Sequence, residues 1–140
     1  MLVLVLATAE AMMRDLLLLA TAGALGTLSR YGVVLWSRKV LGPDLPGGTL
    51  LVNVLGCFVL AFLMQLGLSG EAIPRSARLI VGVGFLGAFT TFSTFGYETL
   101  HLLERGALGP ALLNVSANVV LGLLAAWGGL MAGRAMLAPA

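Results

Sequence analysis

The chain has 140 residues, of which 59% are hydrophobic and only 10% are charged, and its net charge is +2. A soluble domain carries about 25% charged residues, because much of its surface faces water. The composition therefore argues against a soluble enzyme, a nucleic-acid-binding protein and a disordered protein. The 19 glycines are typical of helices that pack closely in lipid.

Residues 1–15 form an N-terminal extension, and its first 11 residues are largely apolar. A signal peptide would carry basic residues ahead of such a stretch, and none occurs here. We interpret the extension as a loose tail or as the product of a misassigned start site. In the second case the true start lies at Met12 or Met13.

Four apolar segments are each long enough to cross a bilayer core about 30 Å thick, which takes about 20 helical residues. We predict one all-α domain over residues 16–135, since every backbone amide in lipid must be paired internally. Short connections containing Gly and Pro join the helices. The predicted spans are residues 16–36, 49–68, 77–103 and 108–135.

Basic residues are divided almost evenly between the two sides of the predicted membrane domain. One side carries Arg14, Arg75, Arg78 and Arg134, and the other carries Arg38, Lys39 and Arg105. Membrane orientation normally follows a Lys/Arg excess on the cytoplasmic side. The weak bias predicts insertion in both orientations and an antiparallel homodimer. The alternative is a single orientation, set weakly by Arg75 and Arg78.

Charged and polar side chains within the spans are candidate functional residues, because burying them in lipid is costly. Arg30 lies about two thirds of the way along the first span. It is either a residue whose head group reaches the interface or a buried cation that attracts anions.

The second and fourth spans each carry a polar stripe. Thr49 and Asn53 are four residues apart, as are Asn114 and Asn118, so each pair shares one helix face. A single Asn commonly joins two helices by a hydrogen bond. Two stripes favour a hydrated track instead, since amide groups can replace water around an anion without trapping it.

The third span combines Gly and hydroxyl residues at its middle, between Gly82 and Glu98. The hydroxyl residues are Thr90, Thr91, Ser93 and Thr94. Ser and Thr can bond to backbone groups and stabilise a departure from the helix. We therefore predict a broken helix, whose freed carbonyls could bind a cation at mid-membrane. The alternative is a continuous, kinked helix.

Over roughly residues 16–134 the chain resembles the CrcB/Fluc family of fluoride channels. The matching residues are Gly26 to Tyr31, Gly48 to Gly56, Gly84 to Gly87, Thr90 to Phe95, and Glu98. The resemblance implies an antiparallel, dual-topology homodimer with two pores, in the inner (plasma) membrane. It also implies a structural sodium ion at the dimer centre, held by backbone carbonyls at the positions of Gly87 and Thr90 and not transported.

The resemblance places the fluoride pathway along Asn53, Phe92 and Phe95, with Thr49 on the same track. Asn114 and Asn118 stand where some family members carry Tyr and Ser, and Asn also occurs there. The positive edge of a Phe ring can line an anion path without binding the ion tightly. The alternative for the two Phe residues is ordinary packing.

These expectations describe a passive channel that exports fluoride and is not an enzyme. Its partners would be a second copy of the chain, fluoride and the bilayer, with no nucleic acid. One alternative is a small dual-topology multidrug or cation transporter, which would need a carboxylate in the first span. Another is a non-transporting scaffold, which would not need the Thr- and Phe-rich break.

Overall fold

A computed structural model describes residues 1–42, 46–68 and 73–138 of the chain, without the side chains of residues 2–7. All the regular elements in these ranges are helical. The helices are α1 (Leu2–Leu41), α2 (Gly47–Leu68), α3 (residues 75–89), α4 (Phe92–Glu104) and α5 (Leu108–Leu137).

Four helical stretches of the described chain are long and apolar enough to cross a membrane. They are Thr8–Leu41, Gly47–Leu68, Arg75–Glu104 and Leu108–Leu137. The predicted all-α membrane protein with four spans is therefore confirmed. Three of the four spans differ from the predicted ones by only a few residues at each end.

The first span differs more, because α1 begins at Leu2 and includes the N-terminal extension. Residues 2–15 continue the helix, and their interpretation as a loose tail or as the product of a misassigned start site stays a prediction. At 1.5 Å per residue, the 40 residues of α1 extend about 60 Å, well beyond a bilayer core. The position of the true start remains a prediction.

The third span is broken, as predicted, and is not a continuous kinked helix. Its first half, α3, opens with an α-helical turn at Arg75–Arg78, widens into a π-helix over Leu79–Leu86 and returns to α-helix at Gly87–Phe89. Thr90 and Thr91 then adopt extended backbone angles, with ψ of 159° and 112°. The second half, α4, starts directly after them.

Small residues allow the helices to approach closely around this break. A Cβ at Gly26 of α1 would collide with the carbonyl oxygen of Phe85, and a Cβ at Gly56 of α2 would collide with the Thr90 methyl group. Gly129 brings α5 equally close to the Phe58 carbonyl of α2. Such close approach is how helices gain packing energy in lipid. It fixes the break against α1 and α2.

The buried apolar cluster lies next to the break, on its N-terminal side. It consists of Val52 from α2 with Leu86 and Phe89 from α3. The cluster therefore supports the end of α3, after which the extended segment begins.

Candidate functional site

The side chain of Asn53 binds the broken segment through the backbone N–H and the backbone carbonyl of one residue, Thr91. Its Oδ1 accepts a hydrogen bond from the Thr91 N–H at 2.9 Å, and its Nδ2 donates to the Thr91 carbonyl at 3.2 Å. In a continuous helix that N–H would bond to the carbonyl of Gly87 instead. Asn53 is therefore part of what holds the helix open.

A chain of hydrogen bonds joins both predicted polar stripes. Asn53 Nδ2 donates to Asn118 Oδ1 at 3.0 Å, and Asn118 Nδ2 donates to the Asn114 side chain at 3.1 Å. Asn114 Nδ2 donates to Thr99 Oγ1 at 2.9 Å, and Thr99 donates to the Phe95 carbonyl at 2.8 Å. Three predicted pathway amides thus form one uncharged track that connects α2, α5 and α4.

Hydroxyl groups stabilise the start of α4. Thr91 Oγ1 accepts from the Thr94 N–H at 3.2 Å and donates to Thr94 Oγ1 at 3.0 Å, while Ser93 Oγ lies 3.3 Å away. A Thr side chain in this position is a helix N-cap. Thr90 stabilises the end of α3, the first half of the span, since its hydroxyl donates to the Leu86 carbonyl at 3.0 Å.

The two carbonyls predicted to bind a cation are those of Gly87 and Thr90, and both lose their usual helical donors at the break. The amides four residues on belong to Thr91 and Thr94, which donate instead to Asn53 Oδ1 and Thr91 Oγ1. Gly87 is exposed and Thr90 is half-buried. Free carbonyl oxygens suit a hard cation. The described residues contain no group of three or more His, Cys, Asp or Glu side chains placed to bind a metal ion.

Phe92 and Phe95 share one face of α4, with ring centroids 5.5 Å apart and planes tilted by 54°. They line an open cavity of about 330 Å³ against α2, α3 and α5. The polar residues lining it are Asn53, Thr90, Thr91 and Asn118. Phe92 is 82% exposed in a single chain, so ordinary packing within one copy does not account for its position.

Thr49 lies away from this cavity and does not join the amide track. Its side chain is buried, and its hydroxyl donates to Glu98 Oε1 at 2.9 Å. The second oxygen, Glu98 Oε2, is buried and has no hydrogen-bond partner among the described residues. Thr49 and Glu98 therefore form a separate polar pair between α2 and α4.

Arg30 is half-buried and forms no ion pair with Glu98 within 4 Å. Arg30 and Glu98 therefore do not pair within a single chain.

Sequence reasoning missed Thr99, which links the Asn track to the backbone of Phe95. Its position offered one signal, since Thr99 lies one turn after Phe95, on the helix face that Phe92 also shares. It also missed Ser37, whose buried hydroxyl has no partner among the described residues.

Comparison with known proteins gives consistent matches over most of the chain. The family described as "CrcB-like protein, Camphor Resistance (CrcB)" matches residues 17–130. A "Fluoride-specific ion channel FluC" of Dehalococcoides mccartyi is 54% identical over 112 residues, covering 80% of this chain and 86% of the relative.

Two further relatives carry the same name. The one from Anaeromyxobacter sp. (strain K) is 48% identical over 115 residues, covering 82% of this chain and 91% of the relative. The one from Citrifermentans bemidjiense is 44% identical over 124 residues, covering 89% of this chain and 100% of the relative.

Proposed function

The chain belongs to the CrcB family, and we propose that it is a fluoride-selective channel through which fluoride leaves the cell passively. The observation that carries the proposal is the uncharged amide track, which meets a Phe-lined cavity at the broken third span. Relatives named as ion channels imply that the protein is not an enzyme.

Fluoride is small and strongly hydrated, so a pathway must replace its water with hydrogen-bond donors. Asn53 and Asn118 supply amide N–H groups at the cavity, and Phe92 and Phe95 supply ring edges with partial positive charge. The amides already donate to protein oxygens. An ion that draws on them must compete with those bonds, which keeps its binding weak enough for release.

The pathway needs a second copy of the chain, placed antiparallel to the first. In one copy, Gly87, Phe92 and Ser93 are exposed at the break, where the surroundings of a lone chain would be lipid. Unpaired polar groups in lipid are costly. Another copy that packs on this face would cover them, and the nearly even division of basic residues allows both orientations. We place the dimer in the inner (plasma) membrane.

A sodium ion fits the centre of such a dimer. Each copy offers the carbonyls of Gly87 and Thr90, whose usual helical donors are engaged elsewhere. When bound, the ion would supply positive charge that holds carbonyls of both copies together, and it would not be transported. Asn53 and Thr91 prepare the site by keeping the helix open.

The proposal is tested by fluoride release from proteoliposomes that contain the purified protein, recorded with a fluoride electrode. We expect rapid release of fluoride and no comparable release of chloride. Empty liposomes provide the baseline for leakage. Vesicles that contain correctly folded protein and still retain their fluoride would overturn the proposal.

A further inference from the structure

We propose that the N-terminus of α2, together with Ser37 of α1, forms a second anion site at the mouth of the amide track. This inference rests on the proposed channel function, because the anion we assign to the site is fluoride. The site is distinct from the Phe-lined cavity and includes none of the residues predicted from the sequence for the pathway except Thr49, which contributes only its backbone amide.

The first turn of α2 offers amide donors. The helix begins at Gly47, and the Leu50 N–H bonds back to the Pro46 carbonyl at 3.2 Å. The amides of Gly47, Gly48 and Thr49 come before that bond, so the helix itself provides no acceptor for them. The positive end of the helix dipole lies at the same place.

Ser37 is an independent sign that a ligand belongs there. Its side chain is 1% exposed, and its Oγ has no hydrogen-bond partner among the described residues. The Oγ lies 3.1 Å from the position that a Cβ on Gly47 would take, so it is directed at the first turn of α2. A buried hydroxyl without a partner is destabilising. A bound anion would accept its hydrogen.

The neighbouring hydroxyl is already engaged, since Thr49 Oγ1 donates to Glu98. Among the described residues, Ser37 therefore supplies the hydroxyl that is available to a ligand at this turn. Arg38 and Lys39, in the last turn of α1, add positive charge nearby. The carboxylate of Glu98 opposes this charge and keeps the affinity for an anion moderate.

A second cavity of about 220 Å³ connects this turn with the amide track. It runs from Gly47 to Asn114, and among the described residues that line it Asn114 is the one with a polar side chain. A small anion released from the α2 N-terminus would therefore meet an Asn amide as its next donor. Fluoride fits this site better than larger halides, because it is compact and a strong hydrogen-bond acceptor.

The first test is Ser37→Ala, with fluoride release measured over a range of fluoride concentrations. Loss of one hydrogen bond to an anion should raise the half-saturating concentration by about tenfold and leave the maximal rate unchanged. The matched control is Thr21→Ala, since Thr21 lies on the same helix and bonds only to carbonyls of its own helix. Fluorine NMR titration should show the same loss of fluoride binding.

The second test fills the site without removing the hydroxyl. A Cβ on Gly47 would lie 3.1 Å from Ser37 Oγ and 2.5 Å from Leu41 Cδ1, the end of a flexible side chain that would have to shift, whereas a Cβ on Gly32 of α1 meets nothing within 4 Å. We expect Gly47→Ala to reproduce the Ser37→Ala defect and Gly32→Ala to leave transport unchanged. If Ser37→Ala does not fold, Gly47→Ala decides the question.

Two failures are distinguishable. If the unmodified protein releases no fluoride, the proposed channel function is wrong. If it does, and the folded variants show the unmodified half-saturating concentration and NMR titration, the second site is wrong.

Discussion

The Asn53 side chain makes both of its contacts to Thr91 with the Thr91 backbone, accepting from the N–H at 2.9 Å and donating to the carbonyl at 3.2 Å. The same amide also donates to Asn118 at 3.0 Å. One side chain therefore holds the third span open and begins the polar track. The shape of the break and the proposed fluoride pathway therefore involve the same residue.

Replacing Asn53 with Asp should stop fluoride release. Asp can still accept the Thr91 N–H, but as a carboxylate it cannot donate to Thr91 or Asn118, and its charge repels an anion. We expect the release rate to fall by at least about tenfold, since loss of the hydrogen bond from the Asn53 amide to the charged fluoride ion has that effect. The fluoride electrode provides the measurement. Ser116→Ala, which removes an exposed hydroxyl bonded to its own helix, is the control, and undiminished flux would remove Asn53 from the pathway.

The sequence predicted much of this site, because helical spacing alone determines which residues share a face. Spacing by four placed Asn114 beside Asn118, and the run of hydroxyl residues predicted a break within the third span, which the structure places at Thr90 and Thr91. It did not predict which helix each face meets. Thr49 shares a face with Asn53, yet it pairs with Glu98 of α4.

Contacts between helices depend on rotations and approach distances that no local pattern records. The π-helix over Leu79–Leu86 changes the residues per turn and so alters which side chains face α1. Thr99 shows the same limit, because its role depends on Asn114, 15 residues away. A pattern within one helix cannot identify such a partner.

Thr91→Val should destabilise the protein through loss of the N-cap of α4. Val has nearly the shape of Thr but cannot accept the Thr94 N–H, a bond of 3.2 Å. We expect a loss of about 1 kcal/mol in the free energy of unfolding, seen as a lower thermal midpoint in detergent. Thr91→Ser keeps the hydroxyl and should remain close to the unmodified protein. Equal losses for both variants would assign the effect to packing.

Gly26→Ala and Gly32→Ala should differ sharply, although both residues lie in α1. A Cβ at Gly26 would collide with the Phe85 carbonyl oxygen, whereas a Cβ at Gly32 meets nothing within 4 Å. Overpacking against backbone should cost Gly26→Ala about 1–3 kcal/mol, while Gly32→Ala gains from the higher helix propensity of Ala. Thermal unfolding in detergent measures both. Equal stability of the two variants would contradict the close packing of α1 on α3.

Removing sodium should inactivate the channel if the carbonyls of Gly87 and Thr90 hold this ion. We expect protein purified and reconstituted with a bulky organic cation in place of sodium to release little fluoride, and added sodium to restore release. Carbonyl cages select cations by size and by the number of oxygens. Lithium, added at the same concentration in place of the restoring sodium, is therefore the matched control. Full activity without sodium would exclude a sodium ion from the break.

Single-cysteine labelling should show that the chain inserts both ways. With Cys57 replaced by Ala, Glu104→Cys and Ser76→Cys would each leave one thiol, at exposed residues near opposite ends of the third span. Neither change alters the count of basic residues that governs orientation. A membrane-impermeant maleimide added to intact cells should label roughly half of each variant, since neither side has a clear Lys/Arg excess. Permeabilised cells give full labelling as the reference. Complete labelling of one variant and none of the other would establish a single orientation and exclude an antiparallel dimer.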